Sequence, residues 1–410
     1  NMRLISNSLK KSDMATDVYI GGLGCVTALG KGVDSQLKRL KEGKGGLGKL
    51  TLFKTSHEAT VGEVPFSNKV LAESLNLPPV KEYSRTTLLG LAAAAEALSD
   101  SGIQRDGLRI GFISATSVGG MDVSELFYGE YHKDKNRGKL RQLIGHDCGA
   151  STQFMCEQLG IGDFSTTINT ACSSANNAIM LGAIMIKAGM LDVVIAGGTD
   201  SLCRFTVNGF SSLGILDREL CRPFDRSRAG LNLGEGAGYL LLCSDRVKTS
   251  RRYGRVTGYA NANDAFHQTA SSSTGDGAYL AMKGALEMSG SDSGRIGYIN
   301  VHGTGTQNND ASEGVAMKRL FGGSVPPFSS TKGFTGHTLG AAGGVESVFA
   351  VLSLYYGFIW PNLNFRNRIE EADVTPVTRC VKAGNLKAVM TNSFGFGGNC
   401  TSLVFESAKI

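Results

Sequence analysis

In "NTACSSANNAIMLGAIMIKAG", Asn169 to Gly189, a single cysteine, Cys172, stands directly ahead of a long run of small and apolar residues. Ala, Ile, Met and Leu occur nearly all round that run, so it predicts a buried helix whose first turn lies inside the protein. A thiol placed there meets unpaired backbone N–H groups and the positive end of the helix dipole. Both favour thiolate, the attacking form, and predict a cysteine several pKa units more acidic than a free one. The plainer alternative is a small hydrophobe in a core.

Partners for such a thiol occur further along. "NVHGTGTQNNDASE" places His302 directly after an apolar strand, where the chain opens into a loop of Gly and Thr. "SSTKGFTGHTLGAAGGVE" offers Lys332, His337 and Glu346 in a segment crowded with glycine. No metal is expected: neither histidine belongs to an H-x-x-x-H pair, and no acid or cysteine stands at ligand spacing on one helix face. One cysteine with two histidines suits a different task. The sulfur holds an acyl group as a thioester, and two imidazole N–H donors bind the enolate made at a second thioester, provided both rings stay neutral. Lys332 beside them disfavours a second positive charge, and Glu346 compensates it. Taken singly, each histidine also reads as a satisfied core residue, and Lys332 and Glu346 as a surface lysine and a helix-start glutamate.

The elements that must carry these residues alternate. "DVYIGGLGCVTALG", "RIGFISATS", "DVVIAGGTDS", "GYLLLCSD", "IGYINVHGTG" and "KAVMTNSFGFGG" read as buried strands, mostly ending in glycine. "SRTTLLGLAAAAEALSDSG", the run after Cys172, "GAYLAMKGALEMSG" and "GGVESVFAVLSLYYG" read as helices. The alternation predicts α/β with a largely buried sheet. A Gly-terminated strand, a small-residue helix and a closing "FGFGG" or "GEGAG" recur on either side of about residue 250, which suggests a duplication.

Composition bounds the rest. The 410 residues are 41% hydrophobic and 19% charged, as in ordinary globular chains, and 55 glycines against 8 prolines point to tight turns without collagen's period. No apolar run reaches membrane-spanning length uninterrupted, and the N-terminus lacks a secretory pattern, so no membrane association and a cytoplasmic location are expected. Nine cysteines without a C-x-x-C pair fit neither a disulfide framework nor a zinc knuckle, which suggests reduced thiols. The net charge is +6, but no basic stretch interleaves with regularly spaced aromatics, so no nucleic acid is expected as partner. Two denser patches, Lys133 to Arg141 and Arg246 to Arg255, read first as solvated surface and second as places for an acidic protein partner. "GKGGLGKL", Gly43 to Leu50, lacks the hydroxyl a nucleotide-binding loop needs after its lysine and reads as a surface turn.

Five stretches in order, "NTACSSA", "RPFDRSRAGLNLGEGAG", "VHGTGTQNNDASE", "STKGFTGHTLGAAGGVES" and "NSFGFGGN", make residues 17 to 406 resemble the elongating β-ketoacyl-acyl carrier protein synthases. The resemblance implies a thiolase-like duplicated fold in α-β-α-β-α layers, with an N-terminal half over 17–252 and a C-terminal half over 253–410. Residues 1–16 are set aside as a tag or flexible arm. It implies Cys172 as the acylated nucleophile, His302 and His337 as the groups that drive malonyl decarboxylation, and Lys332 and Glu346 as their supporting pair. Thr304 and Thr306 would contact phosphopantetheine, Phe396 would be a gate whose backbone N–H completes an oxyanion hole with that of Cys172, and Val118 would line the far end of the acyl pocket. Asp310 and Glu313 would belong to structure around the histidine loop. Acyl carrier protein is the implied partner, a homodimer the implied assembly, and no cofactor is implied beyond the carrier's phosphopantetheine. Asn399 and Cys400 depart from the family's usual Thr-Asn pair. The competing readings are a thiolase and a non-catalytic chain-length partner subunit.

Overall fold

The computed structural model describes residues 16–79 and 82–408, so the expectation for residues 1–16 falls, apart from Thr16, outside the described residues. Ten strands carry the architecture. In the first half they are β1 (Val18–Thr27), β2 (Ile110–Ala115), β3 (Phe164–Ile168), β4 (Val193–Asp200) and β5 (Gly236–Ser244). In the second they are β6 (Gly254–Asn263), β7 (Ile296–Asn300), β8 (Phe328–Ser329), β9 (Ala388–Phe394) and β10 (Asn399–Glu406).

The order across the sheet is β8-β7-β9-β10-β6-β1-β5-β4-β2-β3, with the short strand Gly30–Lys31 beside β1. Each half therefore repeats one pattern: its third, second, fourth, fifth and first strands lie side by side. Pairing directions repeat as well. β3, β2 and β4 are parallel, and β4-β5 and β5-β1 are antiparallel. β8, β7 and β9 are parallel, and β9-β10 and β10-β6 are antiparallel. The halves meet where Tyr19 and Ile20 pair with Arg255 and Gly254. The suspected duplication is real at the level of topology.

Helices complete five layers. α1 (Arg85–Ser101) packs outside the first half-sheet, and α3 (Asp276–Ser289) outside the second. Between them lie α2 (Ser174–Lys187) and α5 (Ala342–Tyr356), each touching strands of both halves. The remaining helix that bears on the site is α4 (Gln307–Phe321). The central layer forces small residues on its contacts. A Cβ on Gly344 of α5 would stand 2.4 Å from the Gly238 carbonyl of β5, so only glycine permits that approach. Central position also explains the apolarity of α5. Leu339–Tyr356 is, among the described residues, the one helical stretch long and apolar enough to cross a membrane, yet 89% of it is buried inside the protein. It is a core helix by environment.

Candidate active site

The cysteine and one histidine of the site leave the sheet at the carboxyl ends of parallel strands, where doubly wound sheets place their ligands, while His337 comes from the loop after the short helix Lys332–Thr335. Cys172 follows β3, His302 follows β7, Lys332 follows β8 and Phe396 follows β9. The repeat thus brings two faces of one duplicated unit to a shared crevice.

The nucleophile sits one step ahead of the position expected. α2 begins at Ser174 with Ser173 as its N-cap, so Cys172 lies in the turn before the helix. Ala171 in that turn has φ 53°, a left-handed conformation that costs a non-glycine residue about 1–3 kcal/mol. Several side-chain bonds hold the turn there, three of them as follows. Ser393 Oγ donates to the Cys172 carbonyl at 2.8 Å, Ser174 Oγ accepts from the Thr170 N–H at 2.8 Å, and Ser173 Oγ donates to Asn399 Oδ1 at 2.7 Å. Asn399, one of the two departures from the family pattern, is therefore a brace for the nucleophile turn. Cys400, the other, lines the cavity beside it.

Gly395 closes over this turn from β9. A Cβ there would stand 2.8 Å from the Thr170 carbonyl and 3.2 Å from the Cys172 nitrogen. Gly395→Ala is expected to push Cys172 away from the Phe396 N–H and slow its acylation about 10- to 100-fold, read by intact mass against time. Unchanged acylation would show that this contact positions nothing.

The expectation of an acidic thiol is overturned. Burial pushes the Cys172 thiol up to about 11, and the Lys332 charge and the Phe396 backbone N–H only partly oppose that. The helix end favours thiolate, but in the folded protein desolvation is the larger effect. At rest the sulfur carries its proton.

The histidines match the requirement placed on them. Their rings are 5.3 Å apart and nearly perpendicular, at 86°. One ligating nitrogen of each and the Cys172 sulfur lie within 4.8 Å of one another. Lys332 Nζ has three donors, and all are placed: 2.5 Å to the His302 carbonyl, 2.5 Å to Glu346 Oε1 and 3.2 Å to His302 Nδ1. His302 Nδ1 is therefore an acceptor, and the ring proton resides on Nε2. His337 Nδ1 accepts the Leu339 N–H at 3.1 Å, which assigns its proton to Nε2 as well. Both rings stay neutral. Burial drives the His302 and His337 pKa values well below the usual imidazole value, the Lys332 charge adds to this at both, and His337 adds to it at His302.

This hydrogen bonding also bears on metal binding. A sulfur and two nitrogens so close together could in principle take a soft ion. A ligating histidine, however, donates its other ring nitrogen to a carboxylate or carbonyl, whereas here both Nδ1 atoms face donors. The donor set does not fit a resident metal.

Thr304, Thr306 and Phe396 line the same cavity as Cys172, His302 and His337. The two threonine hydroxyls are 2.9 Å apart. Lys332 and Glu346 lie behind the histidines, both buried, and burial raises the Glu346 carboxyl to about 7 against the opposing pull of Lys332. Glu313 accepts the His302 and Gly303 N–H groups at 2.9 and 2.8 Å, and Asp310 accepts those of Phe224 and Gly305 at 2.7 and 3.2 Å. They shape the loop and do not reach the cavity. Val118 is not on the cavity wall. It lies in an apolar cluster with Leu231 and Leu339, reached from the cavity through Phe210, Ile215 and Leu231. Among the lining residues not foreseen are Phe210, stacked on Phe396 with centroids 5.9 Å apart, and His267. Phe210 sits in "VNGFSS", where no local signal marks it, because the contact joins segments far apart in the chain.

Residues 15–248 match the family described as "Beta-ketoacyl synthase, N-terminal domain", and residues 253–366 match its "C-terminal domain" counterpart. The chain belongs to the β-ketoacyl synthase family. The synthase is 32% identical to the "Putative 3-oxoacyl-[acyl-carrier-protein] synthase, mitochondrial" of Schizosaccharomyces pombe, over 95% of this chain and 98% of that one. It is 29% identical to the "3-oxoacyl-[acyl-carrier-protein] synthase 2" of Vibrio harveyi, over 95% and 98%. Among solved structures it matches "The ishigamide ketosynthase/chain length factor" with a TM-score of 0.90 and 29% identity, covering 96% of this chain and 99% of that one. It matches the ketosynthase ApeO in complex with its chain length factor ApeC from Xenorhabdus doucetiae with a TM-score of 0.81 and 32% identity, over 96% and 98%. The thiolase-like fold and the condensing, acyl-transferring class of the enzyme follow, and the thiolase and non-catalytic readings are not favoured.

Neutral rings impose a pH dependence on the synthase. Decarboxylation is expected to stay level from about pH 8 to about pH 6, because the imidazoles need more acid than a free histidine to become charged. Alkylation of Cys172 rises about tenfold per pH unit over the same range, since a thiol near 11 gains thiolate in that proportion. Decarboxylation falling away with an apparent pKa near that of free histidine would contradict the assigned ring states.

Proposed function

We propose that the synthase extends an acyl chain by two carbons in a ping-pong sequence, with the acyl and malonyl groups delivered on the phosphopantetheine of an acyl carrier protein. The observation that carries this is the convergence of two Nε2–H donors and one thiol on a single cavity. In the first half-reaction the Cys172 sulfur bonds to the acyl carbon and the carrier's C–S bond breaks. The thiol proton goes to the departing pantetheine sulfur, so no charge remains behind. The Cys172 and Phe396 N–H groups face the oxyanion that forms on the way.

In the second half-reaction the malonyl C–C bond breaks and CO2 leaves. The electron pair forms an enolate whose oxygen takes hydrogen bonds from His302 and His337 Nε2–H. Neutral rings matter because a neutral N–H stabilises the enolate without protonating it. The enolate carbon bonds to the acyl carbon of the Cys172 thioester and the C–S bond breaks, leaving the β-ketoacyl group on the carrier; the electron pair departs on the Cys172 sulfur, which takes up a proton from water and returns to the thiol. Thr304 and Thr306 hold the pantetheine arm at the cavity mouth. No cofactor or metal enters any step.

The carrier protein is supported by the names of the relatives, and a pairing of two thiolase-like chains by the free outer edge of β3. In the segment ahead of β3, Leu126, Tyr128, Leu140, Leu143 and Ile144 are exposed, as an interface would require, and we take the assembly to be a homodimer. All nine cysteines are free thiols, which supports the cytoplasm as the compartment, although the fission yeast relative is named as mitochondrial. The test is intact-mass analysis after incubation with acyl carriers, together with CO2 release from the malonyl carrier. One acyl mass on the Cys172 peptide and CO2 release are expected. Acylation of another cysteine, or no CO2, would sink the reading.

A further inference from the structure

Asp200 ends β4 with its carboxylate fully buried, and every bond it makes is an accepted one. Thr116 Oγ1 donates to Oδ1 at 2.5 Å, the Ser117 N–H lies 3.0 Å from both oxygens, and the Val118 N–H is 3.2 Å from Oδ1. On its other side Oδ2 accepts the Gly340 N–H at 2.7 Å. One carboxylate therefore staples the Thr116–Val118 segment to the turn that follows His337.

That turn sets the state of the histidine. Leu339 has φ 54°, so a non-glycine residue is held in the left-handed region. Its N–H is the donor that fixes His337 Nδ1, and its side chain is buried in the same apolar cluster as Val118. The peptide between Leu339 and Gly340 is anchored by Asp200, beside the turn's own bonds from the Ala341 N–H to the Thr338 carbonyl at 3.0 Å and from the Ala342 N–H to the Leu339 carbonyl. We propose that Asp200 is the positioning residue that keeps His337 in its Nε2–H tautomer and couples it to the apolar wall at Val118. The inference rests on the reading of His337 as an enolate donor. Asp200 touches no reacting atom. Burial raises its carboxyl to about 6, opposed by these hydrogen bonds, so near neutral pH it remains mostly an acceptor.

Asp200→Asn replaces one acceptor oxygen by a donor, which must then face either Gly340 N–H or the Thr116–Val118 donors. The full chain, labelled with 15N-histidine, is examined by NMR of the ring nitrogens beside both half-reactions. CO2 release from malonyl carrier is expected to fall about 100-fold, Cys172 acylation to stay within about threefold, and only the His337 ring to lose its single-tautomer signature. Gly340→Ala is the second variant, since its Cβ would stand 2.6 Å from Ser117 Oγ and 2.8 Å from Asp200 Oδ2 and wedge the staple open. It should give the same signature, and it decides alone if Asp200→Asn does not fold. Unchanged His337 nitrogens, or an equal fall in both half-reactions, would overturn the proposal. If His337 responds in the variants while the unmodified synthase releases no CO2, the positioning role stands and the enolate reading fails.

Discussion

Cys172→Ala is expected to lower condensation at least about 10⁴-fold while CO2 release from the malonyl carrier stays within about tenfold of the parent. The two half-reactions separate because the geometry separates them. The sulfur forms the acyl bond, whereas the enolate is held by Nε2–H donors whose tautomers are set from behind, by Lys332 at His302 and by Leu339 at His337. Alanine removes the sulfur that carries the acyl group and leaves those donors in place. Cys172→Ser tests the same point from another side: an alcohol in this buried site is much harder to ionise than the thiol, so it should acylate little. The measurements are acyl mass on the protein, labelled CO2, and β-ketoacyl product. Condensation surviving in Cys172→Ala, with acyl mass on Cys400 in the same cavity, would move the nucleophile.

The second large effect concerns the histidine pair. His302→Ala or His337→Ala should each cut CO2 release about 10²- to 10³-fold, the loss for one donor to a developing oxyanion in a water-poor site. The double variant should lose less than the product of the singles, because two donors to one oxygen act as a unit. Cys172 acylation should fall no more than about tenfold in any of the three, since the Phe396 N–H at the sulfur is untouched. Equal loss of acylation and decarboxylation would mean that an imidazole takes the thiol proton, and would replace the neutral-donor account by a base-catalysed one.

Much of the frame could be read in the chain. β1, β2, β4, β5, β7 and β9 are fully or nearly fully buried runs, most of them flanked by glycine, and α1, α2, α3 and α5 carry helical apolar spacing. β6 and β10 were harder. β6 alternates buried and half-exposed residues and fades into "ANAN", and β10 starts directly after a Gly-rich turn, so neither presents a long apolar run. β8 is only two residues long, too short for any periodicity.

The residue types at the site were legible for a local reason: a cysteine before an apolar helix and a histidine at a strand end are patterns within a few residues. Their protonation states were not. The acidic thiol inferred at Cys172 became a thiol near 11 because burial is contributed by segments distant in the chain. Phe210 came onto the cavity wall for the same reason, and Val118 lies in the apolar cluster that adjoins it through Leu231. Composition, periodicity and strand-ending glycines determined the layered α/β fold and the identity of the reacting groups, since those follow from neighbours along the backbone. Only the folded chain decided which nitrogen bears each proton, whether the sulfur is charged and which walls enclose it, because desolvation and hydrogen bonding depend on what is packed nearby in space.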